Sequence, residues 1–190
     1  ITMDATIGNS AAIGILKINS AGTPSGDIDL VGLAGVATSA AIGNSTTNLI
    51  TLDGTTYTTA GTQTYTSDAG DKIKFTNASG ATITTSAADV GFVGGNVKLK
   101  EDADLTITTG GGSTAGNISF GAALKGDSTT ATKFSDVSLT TGAGTVGLNA
   151  ISTDIRDVTV SAGTADVTLS GNITLEGGTN DSGVLDITGN

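Results

Sequence analysis

The sequence predicts an all-β protein whose chain winds into a parallel β-helix, also called a β-solenoid. Three observations indicate this fold: a recurring turn-and-strand phrase, 29 Gly against 1 Pro, and 16 Asp against 2 Glu. Gly and Asp favour turns, whereas Glu favours the interior of helices. The abundant Thr is β-branched and therefore suits strands.

The recurring phrase is a glycine, then Asn, Asp or Thr, then an apolar residue, any residue and a second apolar residue. Gly and Asn or Asp tolerate turn conformations, and successive side chains of the strand that follows point to opposite faces. The two apolar positions of five copies are the predicted core. These residues are Ile28, Leu30, Val97, Leu99, Ile118, Phe120, Val146, Leu148, Ile173 and Leu175.

Copies of the phrase start at 26, 70, 95, 116, 144 and 171, at intervals of 44, 25, 21, 28 and 27 residues. The interval of 44 is expected to contain two units. Weaker strand phrases lie between the copies, so each unit has two or three short strands. Units of roughly 20 to 28 residues match one coil of a parallel β-helix, which predicts roughly seven to nine coils. An antiparallel β-sandwich is the alternative, because it also has short strands at regular spacing.

Residues 1–25 are predicted to form an N-terminal coil, a cap or an assembly segment, and residues 26–190 the solenoid repeats. The chain starts at Ile1 and stops at the opening of another phrase, so we expect it to be part of a longer repeat chain. A terminal coil has an open edge, which favours end-to-end self-association or contact with further repeats. The candidate assembly residues are Ile13, Ile15, Leu16 and Ile18.

Two segments, residues 1–20 and 50–66, depart from the repeat. Residues 50–66 contain both tyrosines, and we interpret them as a hairpin or as a coil with a wide flat face. Specific recognition is expected in such irregular segments, because the variable positions of the phrase share no chemistry. The Ala-rich stretch from Val36 to Ile42 is the one helix candidate.

The formal net charge is −10, and the seven lysines and one arginine are spread along the sequence. This distribution argues against binding of nucleic acid or anionic lipid, which requires clustered positive charge. No stretch approaches the ~20 apolar residues of a membrane span, so no membrane insertion is expected.

The chain has no His and no Cys, which excludes Ser-His-Asp and Cys-His catalysis and the usual zinc sites. A pair of carboxylates, as in β-helical polysaccharide-active enzymes, is the remaining enzymatic alternative. Its candidates are Asp154 and Asp157 beside Arg156, or the acidic group from Glu101 to Asp104. Only 3% of the residues are aromatic, which suits a sugar groove poorly. We therefore expect no enzyme activity and assign no catalytic residue.

Two binding alternatives remain. Calcium takes carboxylate and carbonyl oxygens from turns, and Glu101, Asp102 and Asp104 are its candidate ligands; no other cofactor is expected. Thr-x-Thr phrases such as 82–84 and 106–108 suggest ice binding, because flat threonine arrays on a solenoid resemble the faces of some antifreeze proteins. Their intervals are not constant, so we favour ordinary strands with polar residues outward.

The segments GNISFGAALKG (116–126), GNVKLKEDADLTITTGGGSTAG (95–116) and TLDGTTYTTAGTQTYTS (51–67) carry a family resemblance. They resemble the repetitive β-strand arrays of bacterial surface exoproteins of the filamentous-haemagglutinin-like and autotransporter-adhesin type. The resemblance implies export, a right-handed parallel β-helix and an adhesive or structural stalk. We expect an extracellular or cell-surface segment of an adhesin, matrix protein or filament, with host or matrix glycans as partners.

Overall fold

The computed structural model describes residues 1–23, 25–110, 113, 115–130, 132–177 and 182–189. Every regular element within them is a β-strand, and none is a helix. Local alternation of apolar and polar residues gives most strands a buried and a solvent-facing side. The strands are β1 (Thr2–Met3), β2 (Ile13–Ile18), β3 (Asp27–Leu30), β4 (Leu33–Ile42), β5 (Leu49–Leu52), β6 (Thr56–Thr59), β7 (Gln63–Thr66), β8 (Ile73–Phe75), β9 (Ala81–Thr85), β10 (Val90–Val93), β11 (Val97–Lys100), β12 (Leu105–Thr108), β13 (Ile118–Phe120), β14 (Leu124–Asp127), β15 (Ser135–Thr140), β16 (Val146–Leu148), β17 (Ile151–Ser152), β18 (Ile155–Ser161), β19 (Val167–Leu169) and β20 (Leu185–Thr188).

The strands pair with strands of the neighbouring coils, not with their neighbours in sequence. They form a 7-stranded sheet in the order β1-β3-β5-β8-β11-β14-β17 and a 13-stranded sheet. Every strand pair in the described part of the chain is parallel. The protein is therefore a parallel β-solenoid of about seven turns, as predicted, and the antiparallel sandwich is wrong.

The two sheets make three faces around one core. Face 1 is the 7-stranded sheet. The 13-stranded sheet supplies two faces because β4 belongs to both: Leu33 pairs with Tyr57 of β6, and Ile42 pairs with Tyr65 of β7. Face 2 contains the first part of β4 and β6, β9, β12, β15, β18 and β20; face 3 contains β2, the last part of β4 and β7, β10, β13, β16 and β19.

The predicted helix candidate at residues 36–42 is wrong, since these residues lie inside strand β4. Val36, Ala40 and Ile42 are buried in the core, and the strand is paired on both sides. Burial and ladder hydrogen bonds outweigh the high helix propensity of alanine, which is a weak preference.

The irregular interval of the phrase has a simple geometric cause. Copies starting at 26, 70, 95 and 171 lead onto face 1, whereas those at 116 and 144 lead onto β13 and β16 of face 3. The phrase therefore marks a corner of the coil and not one fixed position in it. The interval of 44 residues contains β5, the face 1 strand of the predicted second unit.

Stacked rows of apolar side chains fill the core. One row on face 3 runs through Tyr65, Phe92 and Phe120, with ring centroids 5.3 and 4.9 Å apart in stacked geometry. Of the ten residues that the phrase assigned to the core, eight are buried. Ile173 and Leu175, in the last coils, are half-buried against the same core.

Residues 50–66 form an ordinary coil built from β5, β6 and β7, so the hairpin interpretation is wrong. Tyr57, Gln63 and Tyr65 are fully buried. The Tyr57 hydroxyl donates to the Leu30 carbonyl (3.0 Å), and the Tyr65 hydroxyl donates to Gln63 Oε1 (2.7 Å). Burial raises the pKa of both tyrosines. The tyrosines therefore stabilise the interior and are not a recognition surface.

A column of buried threonines lines the corner between faces 2 and 3. Each hydroxyl donates to a carbonyl oxygen of its own corner, and Gly116 and Gly144, two of the four acceptor residues, are buried. The pairs are Thr59 with Gly61, Thr85 with Ala88, Thr109 with Gly116 and Thr141 with Gly144.

Thr109→Val tests this column. Valine keeps the shape but removes the donor to the buried Gly116 carbonyl, so we expect unfolding to become easier by about 1–3 kcal/mol. Thr108→Val is the matched control, because Thr108 faces outward and should change stability by less than about 0.5 kcal/mol. Urea denaturation of both variants measures the difference, and equal midpoints would contradict the role of the column.

Gly144→Ala tests the close contact between successive corners. A Cβ atom at Gly144 would lie 2.1 Å from the Gly116 carbonyl oxygen, whereas one at Gly147 would meet only the Ile118 oxygen at 4.0 Å. Overpacking against backbone should destabilise Gly144→Ala by about 1–3 kcal/mol. The control Gly147→Ala should be neutral or up to about 1 kcal/mol more stable. Thermal melting that ranks the two variants in the opposite order would refute this packing.

Candidate functional site: the outward faces of the solenoid

A column of aspartates runs along the N-terminal margin of face 2. The Asp136 amide donates to Asp104 Oδ1 (3.0 Å), and the Asp157 amide donates to Asp136 Oδ1 (3.3 Å). Arg156 forms ion pairs with both Asp136 and Asp157, and the hydrogen bond to Asp136 raises the pKa of Arg156. These carboxylates line a groove, but each one also ties its coil to the next.

The two aspartates that the sequence suggested for catalysis, Asp154 and Asp157, accept hydrogen bonds from different coils. Asp154 Oδ2 accepts a hydrogen bond from the Ser128 amide (3.2 Å), and Asp157 Oδ1 accepts one from the Val184 amide (2.9 Å). Burial raises the pKa of Asp154 above its ordinary value. Both side chains therefore connect neighbouring coils by hydrogen bonds.

The three candidate calcium ligands also have separate partners. Glu101 accepts hydrogen bonds from the hydroxyls of Thr129 (3.2 Å) and Thr130, and these bonds lower its pKa. Asp104 belongs to the aspartate column, and Asp102 is an exposed corner residue with φ of 64°. Across the described residues, no three His, Cys, Asp or Glu side chains converge on a point where they could hold a metal ion.

Face 1 carries most of the lysines. Lys74, Lys98 and Lys125 lie side by side in register on β8, β11 and β14, and Lys72 and Lys100 flank them. The lysines are spread along the sequence but are grouped in space. The sequence argument against polyanion binding assumed that they were dispersed, and this assumption is wrong. Acidic groups offset part of this charge. Lys98 pairs with Asp127 (2.7 Å) and Lys125 with Asp71 (3.1 Å).

The Asn or Asp of the phrase has a role that the sequence did not reveal. Asn96 Nδ2 donates to Asp71 Oδ1 one coil earlier (2.8 Å), and Asn96 Oδ1 accepts from the Ala123 amide one coil later (3.0 Å). Asn117 makes a similar bond to the Thr145 amide (2.8 Å). These side chains therefore connect successive corners in addition to permitting the turn. The repetition of Asn or Asp at the second position was the available signal.

The first coil contains the four candidate assembly residues. Ile18 is buried, Ile13 and Leu16 are half-buried against the core, and only Ile15 is largely exposed, at 58%. Strand β2, which carries all four, pairs with β4 on one side and has no strand on its other side in the described part of the chain.

These features define the class of the protein: a parallel β-solenoid whose corners are tied together by Asn, Asp and Thr side chains. Comparison with protein-family models, curated proteins and solved structures finds no match to this chain. Among the residues that the structure describes, no helix is long and apolar enough to cross a membrane.

The hydrogen bonds and ion pairs of Asp71 on face 1 predict that the stability of the fold depends on pH. Hydrogen bonding from Asn96, with the adjacent lysines, lowers the pKa of Asp71. The ionised carboxylate therefore stabilises the fold above the ordinary carboxyl pKa, and this contribution disappears as the pH falls through the lowered value. We expect Asp71→Asn to lower the free energy of unfolding at pH 7. The loss should not exceed about 1 kcal/mol, because solvent screens the ion pairs of this exposed side chain.

The measurement is a series of thermal melts between pH 7 and pH 2, where parent and variant should converge. Asp29→Asn is the matched control on the same face, since its carboxylate meets the Thr2 hydroxyl at 3.4 Å and not a lysine. A difference between Asp71→Asn and the parent that persists undiminished at pH 2 would contradict the ionic explanation.

Proposed function

We propose that this chain is an extracellular structural or adhesive solenoid, acting as a segment or subunit of a bacterial surface adhesin, matrix protein or filament. The observation that supports it best is the parallel ladder that joins successive coils in the described part of the chain over one hydrophobic core. Such a rod resists bending and local unfolding because every internal coil is hydrogen-bonded on both sides. The resemblance to exported bacterial repeat arrays favours the same role.

The surface charge fits this role. A net charge of −10 keeps neighbouring rods apart in solution. The lysine row of face 1 offers positive charge to the acidic sugars of a host or matrix glycan, which we propose as the partner. Nucleic acid remains an unexpected partner, because the aromatic side chains that would stack on bases are all buried in the core.

The location is tested with antibodies raised against this chain. They should label intact, unpermeabilised cells of the organism that produces it, and external protease should remove the label. Label that appears only after permeabilisation would contradict an extracellular role.

Assembly is a second part of the proposal. Open strand edges recruit further strands, so the first and last coils would join end to end with a second copy or with further repeats. Leu185 and Ile187 on β20 are each 38% exposed, as expected for a coil that awaits a neighbour. Such a head-to-tail contact does not close on itself and therefore gives a filament.

Electron microscopy of the purified chain at high concentration should show linear filaments. Ile15→Lys should abolish them, because it places a charge at the open edge of the first coil. Val93→Lys is the matched control, since Val93 is similarly exposed (47%) but lies in the middle of the rod. Monodisperse parent particles, or equal effects of the two variants, would refute end-to-end assembly.

A further inference from the structure

Face 2 carries a regular grid of hydroxyl groups on its outer surface. On five successive strands, β6, β9, β12, β15 and β18, the two outward positions that align across all five strands are Thr or Ser. Strand pairing places them in register as two straight columns. The first column is Thr56, Thr82, Thr106, Ser138 and Thr159, and the second is Thr58, Thr84, Thr108, Thr140 and Ser161.

The unequal spacing of the Thr-x-Thr phrases was the sequence argument against an ordered threonine array. The strand register shows that this argument does not hold. Residues of the first column are 26, 24, 32 and 21 positions apart. The corners absorb the differences in length, and the strands return to the same register in every coil. The backbone positions of neighbouring grid residues are therefore about 4.8 Å apart across the strands and about 6.6 Å apart along them.

The grid is held rigidly from below. Between the two columns, each strand directs one buried side chain into the core, and in β6, β9 and β12 these are Tyr57, Ile83 and Ile107, all with no exposure. Thr β-branching restricts the rotation of the outward side chains. The hydroxyls of the eight threonines are thus restricted in position before any ligand arrives.

The hydroxyls of the grid are available to a partner. None of the ten has a hydrogen-bond partner among the residues that the structure describes. The inward threonines of the same strands, Thr59 in β6 and Thr85 in β9, are by contrast bonded to corner carbonyls. These ten hydroxyls therefore differ from Asp136, Arg156 and Asp157 on the same face, which are bonded to one another.

Charge separates this grid from its surroundings. All ten positions are uncharged, although the chain has 26 charged residues. Aspartates begin at the margin column of Asp104, Asp136 and Asp157, and the grid ends where Asp186 follows Thr159 in the last coil. A neutral strip in an acidic protein complements a neutral partner that hydrogen-bonds through a repeating array.

We propose that this hydroxyl grid binds the surface of ice. Ice is an uncharged lattice of water whose hydrogen-bonding sites repeat in two dimensions at distances similar to those of the grid. Fixed hydroxyls can hold water in the positions of that lattice at little further entropic cost, because the side chains are already ordered. The Thr methyl groups fill the spaces between the bound waters.

A crystalline polysaccharide is the competing flat partner, and the structure favours it less. Such surfaces bind protein through exposed aromatic rings, and all six aromatic side chains of this chain are buried. Ice binding is independent of the scaffold role, because a stiff rod can carry it whatever its location.

The test measures the purified chain in two ways: thermal hysteresis of a single ice crystal, and enrichment in a slowly growing ice hemisphere. The parent should show both. Thr106→Tyr, at the centre of the grid, should reduce enrichment at least tenfold, because the ring lifts the ice plane off the neighbouring hydroxyls. Thr64→Tyr on face 3 is the matched control, with the same change at an outward strand position, and should leave enrichment unchanged.

Thermal melts establish that both variants fold. If Thr106→Tyr melts early, Thr84→Lys carries the same test from the adjacent strand. A parent that is excluded from ice overturns the proposal, as do equal losses in the grid and control variants. Binding of the parent to crystalline cellulose or chitin, lost in Thr106→Tyr without any ice enrichment, would assign the grid to a polysaccharide instead.

Discussion

The structure depends on one constraint: each coil must stack on the previous one in the same register. Parallel ladder hydrogen bonds place Ile73 beside Val97 and Val97 beside Leu124, so equivalent residues meet in every layer. A slip of one residue would exchange the buried and exposed side chains of a whole strand. Register therefore decides the core and the surface together.

The corners preserve this register while their lengths vary. The buried Thr109 hydroxyl satisfies a corner carbonyl, and Asn96 and Asn117 connect corners of successive coils. Glycines such as Gly144 lie where the backbones of two coils approach too closely for a side chain. The dominance of Asp over Glu follows, because the short Asp side chain can accept the amide of the adjacent coil at such a corner, as Asp104 does.

In-register stacking also organises the surface into columns with distinct chemistry. Face 1 has a lysine row partly offset by Asp71 and Asp127, whereas face 2 has neutral hydroxyl columns beside an aspartate column. Faces 1 and 2 thus each offer a repeating linear array. Such arrays match the extended or periodic partners that we propose, namely a glycan, a second copy of the chain or an ice surface.

The sequence alone determined the strands, the corners and most of the core, because alternation and turn chemistry are local properties. Ile118 and Phe120 could be assigned to the interior from their own phrase. Tertiary structure decided which strands are neighbours, since corners of unequal length conceal the register. Thr106 and Ser138, 32 residues apart, became adjacent only through that pairing, as did Lys74 and Lys98. The burial of Tyr57 and Tyr65 was likewise decided by the coils stacked against them.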